Sequence, residues 1–159
     1  MERRISAPAD SGIRSTLDRL TTTQPGYDFP FFETKQKALM FAAALGRHLG
    51  RRVPLGQRDA GTAIRFDIFE KAVDDGFLSA LAVEEAKHLD ALRETREDER
   101  ATIFEEFAHA GLVELNRRCS SPGQTPLDVL LDLIEEARTT TETTDLPGMD
   151  AAVLRTLIE

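Results

Sequence analysis

The sequence predicts a mainly α fold: a short strand–helix–helix unit at the N-terminus, followed by a helical bundle. Three observations carry this expectation. Apolar residues recur at helical spacing through most of the chain. Capping residues (Asp10 or Ser11, Thr34, Thr125) stand just before those periodic segments. Only residues 3–7 and 64–69 carry a pattern that suits an extended chain.

Taken in order, residues 3–7 (Arg-Arg-Ile-Ser-Ala) form a brief extended piece. Pro8 ends it, because proline has no N–H and pushes Ala7 towards extended geometry. Ile13, Leu17 and Leu20 then fall at i, i+4 and i+7, one narrow apolar stripe on an otherwise polar helix. The run Thr21-Thr22-Thr23-Gln24-Pro25-Gly26 breaks that helix. Tyr27, Phe29, Phe31 and Phe32 crowd the loop that follows and are expected to tuck under the adjoining helices, a groove for a base or a partner being the alternative. Thr34 caps the next helix, whose stretch 38–45 is apolar nearly all round and ends near Gly46 or Gly50. That broad apolar surface predicts burial on more than one side and a dimer or higher oligomer.

Residues 54–63 read as a loop, and 64–69 as either a strand or a helix start. From Asp75 the pattern is helical, with Phe77, Leu78, Leu81, Ala82, Leu89 and Leu92. The charged run 93–100 is expected to face solvent. Residues 102–115 form a strongly amphipathic helix. Ser120-Ser121-Pro122-Gly123 is a turn, after which Pro126 opens a helix with Leu127, Leu130, Leu131 and Ile134 on one face. Residues 139–144 read as a threonine-rich break. Residues 146–159 are too short to stand alone. This divides the chain into a basic module (1–53), an acidic helical part packed on it (54–138), and a linker with a short terminal helix (139–159).

The chain has 159 residues, 41% hydrophobic and 30% charged, with a net charge of −8. The charge is unevenly spread: residues 1–53 hold nine Lys/Arg against five Asp/Glu, a net +4, while 54–159 hold eleven against twenty-three, a net −12. A basic third and an acidic remainder suggest two separate contacts. No apolar run approaches the ~20 residues of a membrane span. The N-terminus has no apolar stretch after its arginines, so no signal peptide is expected. A single cysteine, Cys119, excludes an internal disulfide and a cysteine-built zinc site. A cytoplasmic protein is the expectation.

Candidate chemistry is sparse. Glu85 with His88, and Glu106 with His109, are Glu-x-x-His pairs of the kind that di-iron carboxylate bundles use. Such a site needs a further Glu from each of two other helices, and Glu135 or Glu136 supplies only one, so no metal or other cofactor is expected. Arg117 and Arg118 beside Cys119 favour a lowered thiol pKa, yet no histidine is near in sequence. Gly46 and Gly50 lack the Gly-Lys-Ser/Thr ending of a phosphate loop. No catalytic residue is assigned.

The N-terminal outline is the most specific pattern. A basic strand before two amphipathic helices is the plan of a ribbon-helix-helix module, in which two chains pair strands and lay the ribbon in the DNA major groove. With Ile5 and Ala7 facing the core, Arg4 and Ser6 face outward. The start of the second helix offers free N–H groups to a phosphate. The expected DNA-contacting set is therefore Arg3, Arg4, Ser6, Thr34, Lys35 and Lys37.

Three blocks are similar to a known family. They are Phe32-Glu33-Thr34-Lys35 running through Met40-Phe41-Ala42-Ala43-Ala44-Leu45-Gly46 to Arg51-Arg52-Val53-Pro54-Leu55; Ile64-Arg65-Phe66 with Ile68-Phe69; and Ile103-Phe104-Glu105-Glu106-Phe107-Ala108 with Gly111-Leu112. In this order they resemble the DNA phosphorothioation-associated protein 4 family, encoded beside the Dnd systems that place sulfur in the DNA backbone. The resemblance spans about residues 30–115. It implies a small non-catalytic accessory of phosphorothioate modification or of its restriction arm in phage defence, with other proteins of that system as partners. His109 departs from the family pattern, whereas Glu105 and Glu106 match it. A structural role follows for those two: ion pairs with Arg51, Arg52 or Arg65, which lie in matching blocks. The function expected is DNA binding through the basic part, partner binding through the acidic part, or both. The alternatives are an adaptor that never touches DNA and a metal-dependent helical enzyme.

Overall fold

A computed structural model of the chain describes residues 3–70 and 74–143. The fold is mainly α. Strand β1 (Arg4–Ile5) leads into helix α1 (Ser11–Thr21) and then α2 (Lys35–His48). A single 3-10 turn precedes β2 (Ile64–Arg65), α3 (Phe66–Glu70) and α4 (Asp74–Ala86). Two further 3-10 turns lead to the long α5 (Glu97–Cys119), and α6 (Pro126–Thr143) follows. The undecided stretch 64–69 turns out to be both things: two residues of strand, then a short helix.

The caps form where the sequence places them. Asp10 accepts from the Ile13 N–H, and Thr34 from that of Lys37. At α6, Thr125 and Asp128 bond each other's backbone N–H reciprocally, so two of the helix's orphan donors are satisfied. Helix α2 runs through Gly46 to His48, with Leu49 as its C-cap and Gly50, at φ +64, just beyond. The Arg51 N–H reaches the Gly46 carbonyl and the Gly50 N–H that of Arg47, a Schellman ending that only a residue at ease with positive φ completes cheaply.

The spine is the crossing of α2 on α5. A Cβ added at Gly46 would overlap the Phe107 carbonyl, and one at Gly111 would overlap that of Ala42. Gly46 is thus an interior contact, and the helix passes through it. With Ala42, Ala43 and Ala108 beside them, the two backbones meet almost without side chains between. Ile13, Leu17 and Leu20 of α1 close one flank, as their spacing predicts, and Phe66, Phe69, Leu78 and Leu81 close another. The apolar surface of α2 is therefore largely covered within the chain, and of its large apolar residues only Met40 and Phe41 stay partly open.

The ribbon-helix-helix outline needs correction. β1 pairs antiparallel with β2 of its own chain, Arg4 opposite Arg65 and Ile5 opposite Ile64. Beyond the ladder, the Ser6 N–H goes to the Glu105 carboxylate and the Ala7 N–H to the Thr62 hydroxyl. The long connection from α2 returns a strand to β1, so its backbone groups are spent inside the protomer. The loop aromatics divide: Phe31 and Phe32 pack on the core, while Phe29 is 80% exposed and Tyr27 39%. The threonine-rich break is also corrected, because α6 continues to Thr143. The Thr139 and Thr140 hydroxyls bond the carbonyls of Glu135 and Glu136, four residues back, so the hydroxyls are satisfied within the helix itself. The expected terminal helix over 146–159 lies outside the described residues.

Candidate functional site

Two of the arginines singled out in the sequence, Arg3 and Arg52, meet Glu105 and Glu106 in the first half of α5. Glu105 is at its centre, with only 1% of its surface exposed. A buried carboxylate is costly unless every lone pair is answered. Here Arg3 donates at 2.7 Å, the Ser6 backbone N–H donates at 2.9 Å, and Arg58 donates from the loop before β2. Arg3 is also 3.4 Å from Asp98 at the start of α5. One side chain therefore clasps the N-terminal strand and the 51–65 connection to α5.

Glu106, next along the helix, points to a different partner. Arg52 bonds it through Nη2 at 2.5 Å and Nε at 2.9 Å, and reaches Glu85 of α4 at 2.6 Å. Burial works against the guanidinium's charge, but the bonds to Glu85 and Glu106 outweigh it and raise its pKa above the ordinary value. The same group stands 5.7 Å over the Phe107 ring. His109 Nδ1 lies 3.1 Å from the Val53 carbonyl and 3.0 Å from that of Pro54. Since both are acceptors, Nδ1 carries the proton. Arg52 and His109 together pin the turn after α2 onto α5. Beside them an open groove of about 440 Å³ is lined by Arg52, Glu85, Asp98, Glu99 and Thr102.

Of the expected ion-pair set, then, the structure joins Arg52 to Glu106. Glu105 meets Arg3 and Arg58 instead, Arg65 is 2.5 Å from Asp67, and Arg51 is exposed. The expected DNA-contacting set is scattered in environment. Arg3 is inside the clasp, and Ser6 is 6% exposed, because Glu105 covers the strand face that alternation assigns to solvent. Thr34 is spent on its cap, Lys35 stands 3.7 Å from Asp18, and Lys37 pairs with Glu33. Arg4 is exposed on the two-stranded sheet, directly across from Arg65.

The groups suited to acid–base or nucleophilic work are used structurally. Helix α4 stops at Ala86, so Glu85 and His88 do not share a helix face; the His88 ring instead caps the following turn, accepting from the Asp90 N–H at 3.0 Å. Glu85 and Glu106 both hold Arg52. Among the described residues no three His, Cys, Asp or Glu side chains gather as a metal site. Burial pushes the Cys119 thiol up, with Arg19 only partly offsetting it. The arginines expected to activate that thiol face elsewhere: both bond Glu114, and Arg118 also bonds Glu136.

Three contributors carry no sequence signal that separates them from a solvated charge. Arg58 stands in a polar loop. Arg100, inside the charged run expected outside, is 8% exposed and donates to the Ala91 and Arg93 carbonyls. Glu114 is 7% exposed, and the hydrogen bond from Arg117, helped by Arg118, lowers its pKa to about 2 despite the opposing effect of burial.

No helix among the described residues is long and apolar enough to cross a membrane. No curated protein and no solved structure matches the chain. One family model does, over residues 4–150, reaching from β1 to beyond α6 and taking in Ser6, Arg58 and Glu105 of the clasp. With nearly its full length matched, the chain belongs to the DNA sulphur modification system-associated protein 4 family.

Proposed function

We propose that the chain is a non-catalytic accessory of a DNA sulphur modification system and acts by holding a partner protein of that system. The observation that carries this reading is the internal use of the basic N-terminal third. Arg3, Arg14, Arg47 and Arg52 each face an acid from beyond residue 53 (Glu105, Asp59, Glu84 and Glu106), so the +4 of that region is answered within the chain. What remains is the chain's net charge of −8, an acidic surplus contributed by residues 54–159, which suits the basic surface of a DNA-handling protein. The engagement of His88 and His109 with backbone, and the burial of Cys119, fit an accessory rather than an enzyme. Mixing the chain with purified proteins of the system and following the mixture by sedimentation tests the reading. A stable complex that weakens with salt supports it, and no complex with any of them removes it.

A second reading, direct DNA contact, is favoured by one specific feature. Arg4 is exposed on β1 opposite Arg65, which Asp67 already meets at 2.5 Å, so it is Arg4 that offers that sheet's positive charge to a backbone phosphate. Fluorescence anisotropy on short duplexes, with and without a phosphorothioate, separates the two. Salt-sensitive binding lost in Arg4→Ala supports DNA contact, and no binding at low salt excludes it.

A further inference from the structure

Helix α6 differs from the other long helices in what it leaves uncovered. Val129, Leu130 and Leu133 face the protein, while Leu131 and Ile134 are each 56% exposed. Ile134 borders an apolar groove of about 260 Å³ between α6 and α2, with Phe41, Ala44, Leu45, Leu133 and Ala137 as walls and His48 at one end. Phe41, Ala44 and His48 rise along α2 at i, i+3 and i+7, and Ile134 and Ala137 along α6 at i and i+3. Two helical ridges with an apolar floor between them form a seat for a third helix. The rim is acidic on balance, with Arg138 bonding Glu135 and Arg118 bonding Glu136 among its acids. Residues 126–143 hold five acids and one arginine, a net −4. Asp132, Glu135 and Glu136 line the opening next to the groove.

We propose that this α2–α6 groove docks an amphipathic helix of a partner protein whose apolar stripe is bordered by lysine and arginine. The apolar walls supply affinity by removing Ile134 and Phe41 from water. The acidic rim selects the charge of the neighbours and speeds encounter. This rests on the partner-holding reading above and gives it a surface and a partner chemistry.

The test uses the full chain and a labelled amphipathic peptide of leucine and lysine, with its leucine–glutamate counterpart as control, followed by anisotropy. The leucine–lysine peptide is expected to bind and the counterpart to fail. Ile134→Asp is the decisive variant, because it adds negative charge to the seat: purely electrostatic attraction would strengthen, whereas apolar docking weakens by about tenfold or more. Ile134→Ala should weaken binding in the same direction by less. Equal binding of the two peptides, or unchanged or tighter binding to Ile134→Asp, overturns the proposal. So does a concentration-dependent dimer of the wild-type chain that Ile134→Asp dissolves, because a second copy is then the occupant. Ile134 is exposed, so circular dichroism should show an unaltered fold in both variants. A complex with the system's proteins that survives Ile134→Asp sinks this surface and leaves the partner-holding reading standing; no complex with the wild-type chain sinks that reading itself.

Discussion

The α2–α5 crossing and helix α6 are built on opposite plans. At the crossing, backbones touch through Gly46 and Gly111, and carboxylates are buried only where arginines meet them. Along α6 three side chains seal the inner face, and an apolar ridge remains in solvent beside an acidic rim. The first region spends its chemistry on holding the chain together. The second keeps some unspent, which is what a contact surface requires. The proposed contact surface therefore centres on α6, with Phe41 and Ala44 of α2 as its far wall, and substitutions should separate it from the contacts that hold the fold.

The largest effect should come from filling the crossing. Gly111→Leu has no room beside the Ala42 carbonyl, so the helices must part; we expect a loss of at least about 3 kcal/mol in urea unfolding, or failure to fold. Glu105→Gln, which leaves Arg3 and Arg58 facing a neutral amide in a buried site, should cost about 2–3 kcal/mol by the same measurement. A shift below about 0.5 kcal/mol would show that the clasp is not what fastens β1 to α5.

Acid should reveal a third contact. Glu114 titrates near 2 in the fold against an ordinary 4.5, so its stabilisation is fully present above 4.5 and is lost as pH falls through 2. Thermal midpoints of wild type and Glu114→Gln should differ at neutral pH and converge as pH approaches 2; a gap constant with pH contradicts the pairing. Lys87, just past α4, holds φ 57, so Lys87→Gly should stabilise the chain by about 0.5–1 kcal/mol. At the small end, Ile134→Asp should leave the urea midpoint unchanged within about 0.5 kcal/mol, which would place α6's exposed face outside the stability-bearing region.

Much of the fold was legible because helices announce themselves locally. The stripe Ile13–Leu17–Leu20 and the caps at Asp10, Thr34 and Thr125 depend on neighbours within one or two turns. Partnership across the chain is not written locally. Strand β1 looked free because β2 lies sixty residues away and is only two residues long. Gly46 resembled a stop signal because a helix end and a close crossing both call for a missing side chain, and Gly50 alone marks the end. Of the pair Glu105–Glu106, sequence marked both as structural. It could not say that one is buried and takes Arg3 and Arg58, while its neighbour reaches Arg52 at the surface. The charged run 93–100 hid Arg100 for the same reason: a guanidinium that bonds two buried-side carbonyls reads like any other surface charge until the backbone is placed.

Hydrogen exchange read by mass spectrometry, on the full chain alone and with the leucine–lysine peptide, tests the separation most directly. Amides of α5 between Ile103 and Leu115 should exchange only through global unfolding, and those of α6 from Leu131 onward much faster through local opening. Added peptide should slow α6 and leave α5 unchanged. Equal protection of the two helices in the free chain, or a peptide that slows β1 and α1 instead of α6, would contradict the account.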